Sequence, residues 1–393
     1  MITLIIFLLV LSILVLIHEA GHYFVAKKFN IKVEEFGFGI PPRLWGKKIG
    51  ETIYSINWLP IGGFVKLLGE DEAGGGKISV SNKELVLKEK DKKRAFFNRP
   101  VRERAAVVVA GVVMNALLAV IIYYIYFSIS GFKTELILIN NYKFSLVNQV
   151  NNTDIIVRSF MKNSPAEKIG LKEFSKIISI NGKKLKNFKE FISIVNENKG
   201  KEVFISWSND GSNKVYIERV TPRKIHPKNE GALGIVVTPN VISVLYYETF
   251  SQKLFSGFVH PVNLLMYNFS VINEFIKIAM ITKDSSYFTD AVSGPVGIYS
   301  VVGEIIKISN MKDRILQILN LAGMLSISLA FFNVLPIPAL DGGRLLFILI
   351  EGVTGKKVNS KIESYAHTMG MIILLLLIIL ITYKDIVQIF FRH

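Results

Sequence analysis

The 393-residue sequence contains no cysteine. Disulfides, thiolate metal sites and a cysteine nucleophile are therefore excluded, and any metal must be held by His, Asp or Glu. Histidine is itself scarce, at six residues. The nucleotide-binding pattern G-x-x-x-x-G-K-[S/T] is absent, because Gly352-Val-Thr-Gly-Lys356 is too short to stand in for it. No nucleic-acid recognition motif or aromatic-basic ribbon accompanies the net charge of +16. Nucleic-acid binding is therefore not expected, and lysines beside membrane helices serve topology and contact with anionic lipid instead.

Half of the residues are hydrophobic, too many for an ordinary soluble protein of this length. Much of that content lies in four runs, roughly residues 2–26, 105–130, 316–337 and 370–391. Each is long enough to cross a hydrocarbon core of about 30 Å as a helix. The first run has neither a basic n-region nor a small-x-small cleavage site, so it is expected to be a retained helix. The expected fold is an α-helical polytopic membrane protein with four transmembrane helices and an extramembrane α+β domain.

Lys92, Lys93, Arg94, Arg99, Arg102 and Arg104 precede the second run. The positive-inside rule places that loop, and the short loop with Arg344, Lys356, Lys357 and Lys361, in the cytoplasm. Both termini and the long region 131–315 are then extracytoplasmic. The expected divisions are 1–130 (N-terminal half of the membrane domain), 131–225 (β-rich with one helix), 226–315 (amphipathic, juxtamembrane) and 316–393 (C-terminal half of the membrane domain). Within the first loop, Ile53–Trp58 and Phe64–Leu68 flank Leu59-Pro60-Ile61-Gly62-Gly63. That reads as a β-hairpin turning near Pro60, re-entrant into the protein interior at membrane depth. Residues 70–94, charged and Gly-rich, read as a mobile loop.

His18-Glu19-Ala20-Gly21-His22 lies inside the first run. A spacing of four puts both imidazoles on one helix face, where they can share one Zn²⁺, and places Glu19 to take a proton from metal-activated water. Ionisable groups inside a bilayer helix are costly, which favours function over chance. Zinc needs a third protein ligand. His226, His260 and His393 lie in the external region or at the chain end, which leaves His367 and, better, Asp341. Asp341 follows a run broken by Pro336 and Pro338, where freed backbone groups must line a cavity. It also suits the N-cap of a helix beginning at Gly342, and both roles can hold at once. Asn333 could donate to substrate backbone or to a developing oxyanion, or cap the broken helix.

The motifs together resemble the site-2 protease family, in particular its RseP-type bacterial intramembrane metalloproteases. The matching segments are HEAGH in the first run, Phe36-Gly37-Phe38-Gly39, Pro60-Ile-Gly62-Gly63-Phe-Val-Lys66, Ser293-Gly-Pro-Val-Gly-Ile298 and Asn333-x-x-Pro-x-Pro-x-Leu-Asp-Gly342. Ser164-Pro-Ala-Glu-Lys-Ile-Gly-Leu171 and Ile177-Ile-Ser-Ile-Asn-Gly-Lys183 resemble a PDZ domain. The resemblance implies zinc on His18, His22 and Asp341, Glu19 as base, and substrate held extended by the segments around Gly37, Gly39, Gly62 and Gly63. It also implies single-pass membrane substrates, such as anti-sigma factors or remnant signal peptides, cleaved in a bacterial inner membrane. A non-catalytic membrane PDZ scaffold and, more remotely, a metal transporter are the alternatives.

Overall fold

The computed structural model describes residues 2–70, 89–139, 142–161, 164–172, 175–185, 188–209, 214–226, 231–282 and 293–391. The described helices are α1 (Ile2–Lys28), α2 (Glu89–Lys92), α3 (Val101–Ser130), α4 (Pro165–Lys168), α5 (Phe188–Glu197), α6 (Phe250–Thr282), α7 (Pro295–Lys307), α8 (Met311–Val334), α9 (Asp341–Thr354) and α10 (Ser360–Phe391). The strands are β1 (Val33–Ile49), β2 (Thr52–Leu67), β3 (Lys133–Leu138), β4 (Asn148–Phe160), β5 (Lys176–Ile180), β6 (Lys183–Lys184), β7 (Val203–Ser208), β8 (Val215–Val220) and β9 (Ile235–Tyr246). The chain divides into two compact units, residues 1–130 with 254–393, and residues 131–253.

In the first unit, α1, α3, α8 and residues 361–388 of α10 are long and apolar enough to cross a membrane. α3 is packed closely on α1. A Cβ added at Gly21 would fall 2.4 Å from the Ala110 carbonyl oxygen, so α1 meets α3 backbone to backbone there. On another side α3 meets α8, where Ser326 Oγ donates to the Asn115 carbonyl at 2.7 Å. α8 ends at Val334, and the Leu335–Leu340 segment with its two prolines separates it from α9.

β1 and β2 form the expected β element, but its turn is elsewhere. The two strands are joined at Gly50–Glu51, and Leu59–Gly63 is an irregular stretch inside β2, not the hairpin turn. Phe36, Gly37 and Phe38 of β1 are consequently paired on both sides. Tyr54, Ser55 and Ile56 lie against one side, and Val65, Phe64 and Gly63 against the other. Left-handed backbone at Gly39 and Gly62, φ 81° and 89°, makes these changes of direction feasible. Of the charged loop 70–94, residues 71–88 lie outside the described residues.

The second unit is built on a seven-stranded sheet of order β3-β9-β4-β5-β7-β8, with β6 on β5. Its core packs Phe191 and Val195 of α5 against Ile155, Val157, Ile177, Ile205 and Trp207. Ser164 caps α4, accepting from Glu167 N–H at 3.2 Å. β9 is part of this sheet although it falls in the 226–315 stretch that sequence patterning sets apart as amphipathic, because its pairing with β4 and β3 is long-range.

The hairpin joint is tied to the end of α1. Glu51 accepts from Arg94 at 2.6 and 2.8 Å and from Lys27 Nζ at 2.6 Å. The Arg94 hydrogen bonds, with Lys27, hold the Glu51 carboxyl down at about 2. A lowered carboxyl pKa contributes stability that is complete above its ordinary value near 4.5 and is lost as pH falls toward 2. Thermal melts of the detergent-solubilised protein between pH 6 and pH 3 should therefore fall more steeply for wild type than for Glu51→Gln. Parallel curves would assign the acid sensitivity to other groups.

Candidate active site

The first unit encloses a cavity of about 310 Å³ lined by residues of α1, α3, β2, α9 and α10. His18 and His22 enter it from α1, and Asp341, the first residue of α9, enters opposite them. Leu340, not Asp341, occupies the helix-cap position, which leaves the Asp341 carboxylate to face the histidines. His18 Nε2 lies 3.0 Å from Asp341 Oδ2, His22 Nε2 3.4 Å from the same oxygen, and the two Nε2 atoms 3.1 Å from each other.

The outer nitrogens of the two rings fix what the inner ones can do. His22 Nδ1 lies 2.8 Å from the Val107 carbonyl oxygen, which can only accept, so Nδ1 carries a proton and in the neutral ring Nε2 offers a lone pair. His18 Nδ1 lies 3.2 Å from the side-chain nitrogen of the fully buried Asn115, whose side-chain oxygen has no hydrogen-bond partner, so the amide is better satisfied with its oxygen and nitrogen exchanged. Facing His18, that oxygen would accept the Nδ1 proton and likewise free Nε2. Two nitrogen lone pairs and a carboxylate oxygen then converge in a buried space, an arrangement that is repulsive unless a cation sits between them. A tetrahedral ion with bonds of about 2.0–2.1 Å sets its ligand atoms about 3.3 Å apart, close to the separations above. His18, His22 and Asp341 are thus a group that could hold a metal ion.

Gly111 of α3 makes room for this convergence. A Cβ there would fall 2.4 Å from His22 Nε2 and 2.7 Å from His18 Cε1. Glu19 lines the same cavity beside Gly63 of β2, where an added Cβ would stand 3.4 Å from Glu19 Cγ. Phe64, Val65 and Leu67 extend that wall along the side of β2 away from β1's other pairing. The end of β2 is fastened to α9. Glu70 accepts from the Leu67 N–H at 3.1 Å and forms an ion pair with Arg344, three residues beyond Asp341.

The remaining residues singled out in the sequence have other places. Gly37 faces the Phe64 ring, and Gly39 the Leu59 carbonyl, so with Gly62 they shape the β element, and of the four glycines only Gly63 lines the cavity. Asn333, near the end of α8, is half-buried and not among the lining residues. His260 packs against the Tyr123 and Phe127 rings at 4.9 and 5.0 Å. His367 accepts a hydrogen bond from the Ala339 N–H at 2.9 Å. Asn115, the polar partner of His18, is the residue that motif reading passes over. Its signal was an amide alone in the apolar run Val107–Val120.

Residues 6–377 match peptidase family M50. The chain is 29% identical over 458 residues to the regulator of sigma-W protease RasP of Bacillus subtilis, with 99% of each chain covered. It is 27% identical over 458 residues to the zinc metalloprotease RasP of Bacillus licheniformis, again with 99% of each covered. Among solved structures it is similar to the PDZ domain of the SdrC-like protein of Listeria monocytogenes, at 25% identity over 21% of this chain and 86% of that one, with a TM-score of 0.19. Matched along nearly its whole length, and with two histidines, a glutamate and an aspartate meeting in one cavity, the chain belongs to peptidase family M50, the site-2 proteases, and is a metalloprotease.

Proposed function

We propose that the chain is an intramembrane zinc protease that hydrolyses peptide bonds in or near the transmembrane segment of single-pass proteins. The observation that carries this reading is the triangle of His18 Nε2, His22 Nε2 and Asp341 Oδ2, with sides of 3.0–3.4 Å, in a cavity that Glu19 shares. Bound there, zinc supplies a Lewis acid that polarises the scissile carbonyl and acidifies water. Glu19 takes the proton from the attacking water and returns it to the leaving amine. The Val107 carbonyl holds His22, and the Asn115 amide with its oxygen turned to His18 would hold His18, in the tautomer that leaves Nε2 available.

A transmembrane helix hides its amides, so a substrate must unwind before attack. The stretch Gly63–Leu67 of β2 borders the cavity with one edge. A substrate added to that edge as a further strand would satisfy its freed backbone groups and lie extended beside Glu19. Gly63, without a side chain, leaves that approach open. The Lys and Arg residues before α3 support a site toward the cytoplasmic face of a bacterial inner membrane, with residues 131–253 outside. That unit, with its PDZ-like motifs, would screen substrates by bulk. One relative is named a regulator of sigma-W protease, which supports membrane-tethered anti-sigma factors as one substrate class, and remnant signal peptides are another.

Glu19→Gln should lower cleavage of a tagged single-span reporter in detergent by about 100- to 10,000-fold while zinc content stays at the wild-type level. Undiminished cleavage would remove Glu19 from the mechanism, and a wild-type protein that cleaves nothing would favour the non-catalytic scaffold. Asn115→Leu conserves volume but removes the amide beside His18 Nδ1. Zinc retained against a competing chelator should then fall by about 10- to 100-fold, and retention equal to wild type would remove Asn115 from the metal site.

A further inference from the structure

Asp341 is presented by the short Leu335–Leu340 segment, and that segment has little means of holding itself. Pro336 and Pro338 carry no N–H. The Ile337 and Leu340 amides donate within the segment, to Leu335 and Ile337 carbonyls. Ala339 is left in the left-handed region at φ 79°, a conformation that strains a residue with a Cβ. Its peptide orientation decides where Leu340 and Asp341 begin α9, so the direction of the carboxylate depends on a strained residue two positions upstream.

What holds Ala339 comes from α10. His367 is 2% exposed, its ring packs on Phe347 at 5.6 Å between centroids, and its Nδ1 accepts the Ala339 N–H at 2.9 Å. Gly370, one turn further along the same face of α10, brings the helix backbone onto the segment, since a Cβ there would fall 2.4 Å from the Pro338 carbonyl oxygen. From the other side Gly342 and Gly343 press α9 against the Leu335 and Ile337 carbonyls. The segment is gripped between two helices, and the His367 acceptor fixes the peptide that neither glycine contact can orient.

We propose that His367 is a positioning residue for the metal site: α10 holds Asp341 in place through the hydrogen bond from Ala339 N–H to His367 Nδ1. The inference rests on the reading of His18, His22 and Asp341 as zinc ligands. It makes the last apolar helix part of the metal site without a ligand of its own. A displacement of α10 would disturb Asp341 before it disturbed either histidine.

Replacement by isosteres separates this role from packing and from ligation. Asn can place its side-chain oxygen where Nδ1 stands, Gln extends its oxygen toward the Nε2 position, and Phe keeps the ring without an acceptor. In full-length protein, His367→Phe should release zinc to a competing chelator about 10- to 100-fold more readily than wild type, and the visible spectrum of the cobalt-substituted protein should change with the altered carboxylate. His367→Asn should resemble wild type in both measurements and His367→Gln should resemble Phe. Wild-type zinc retention and cobalt spectrum in the Phe variant would overturn the proposal, and so would an Asn variant as impaired as Phe. Should the Phe variant fail to fold, the comparison of Asn with Gln decides, and equal behaviour of those two overturns it. Failure of the zinc reading itself would show separately, as wild-type protein that retains no zinc.

Discussion

The near contact of α1 with α3 is the constraint on which the site depends. Gly21 lets the helices meet at the Ala110 carbonyl, and Gly111 leaves the space that the two imidazoles fill. At that separation the Val107 carbonyl and the Asn115 amide come within reach of the outer ring nitrogens. Polar groups in an apolar helix are costly unless they are satisfied. The α3 backbone and one buried amide satisfy these, and in doing so they aim the remaining nitrogens at Asp341. A larger residue at either glycine would separate the helices and take the ring partners away together with the ligand geometry.

The second requirement is peptide backbone in an extended state beside that centre. The β1–β2 element meets it by pairing the Phe36–Phe38 stretch on both sides, so that its own polar groups are used up and one edge borders the cavity. The element is fixed at both ends. Glu51 is bound to Lys27 and Arg94 near the end of α1, and Glu70 joins Arg344 on α9. Because Arg344 lies one helical turn from Asp341, the same short helix positions a proposed ligand and the end of the strand that would receive substrate. On that proposal, chemistry and substrate alignment would be coupled through α9.

Much of this was legible in the sequence. The spans could be read because long apolar runs have few other uses, and His18 and His22 because a spacing of four follows one helical face, with Glu19 beside the first. Asp341 could be read because two prolines mark a break where a carboxylate has a cavity to enter. What could not be read depends on long-range pairing or on single buried contacts. β1 is interrupted by Gly37, Gly39, Pro41 and Pro42, which mask strand periodicity, and this moved the expected turn to Pro60. β9 belongs to a sheet whose partners are distant in the chain. His367 looked like a spare ligand because its residue type suggests one, whereas the fold gives its Nδ1 to a backbone amide. Asn115 carried a signal, a lone amide in an apolar run, but nothing local says which ring it serves.

Two imidazoles and one carboxylate are proposed to hold a single zinc ion. X-ray absorption spectroscopy of the zinc-loaded wild-type protein tests it most directly. The expected result is a four-coordinate first shell of nitrogen and oxygen at about 2.0–2.1 Å, with outer-shell scattering from two imidazole rings. A shell with three imidazoles, or one with none, would contradict it.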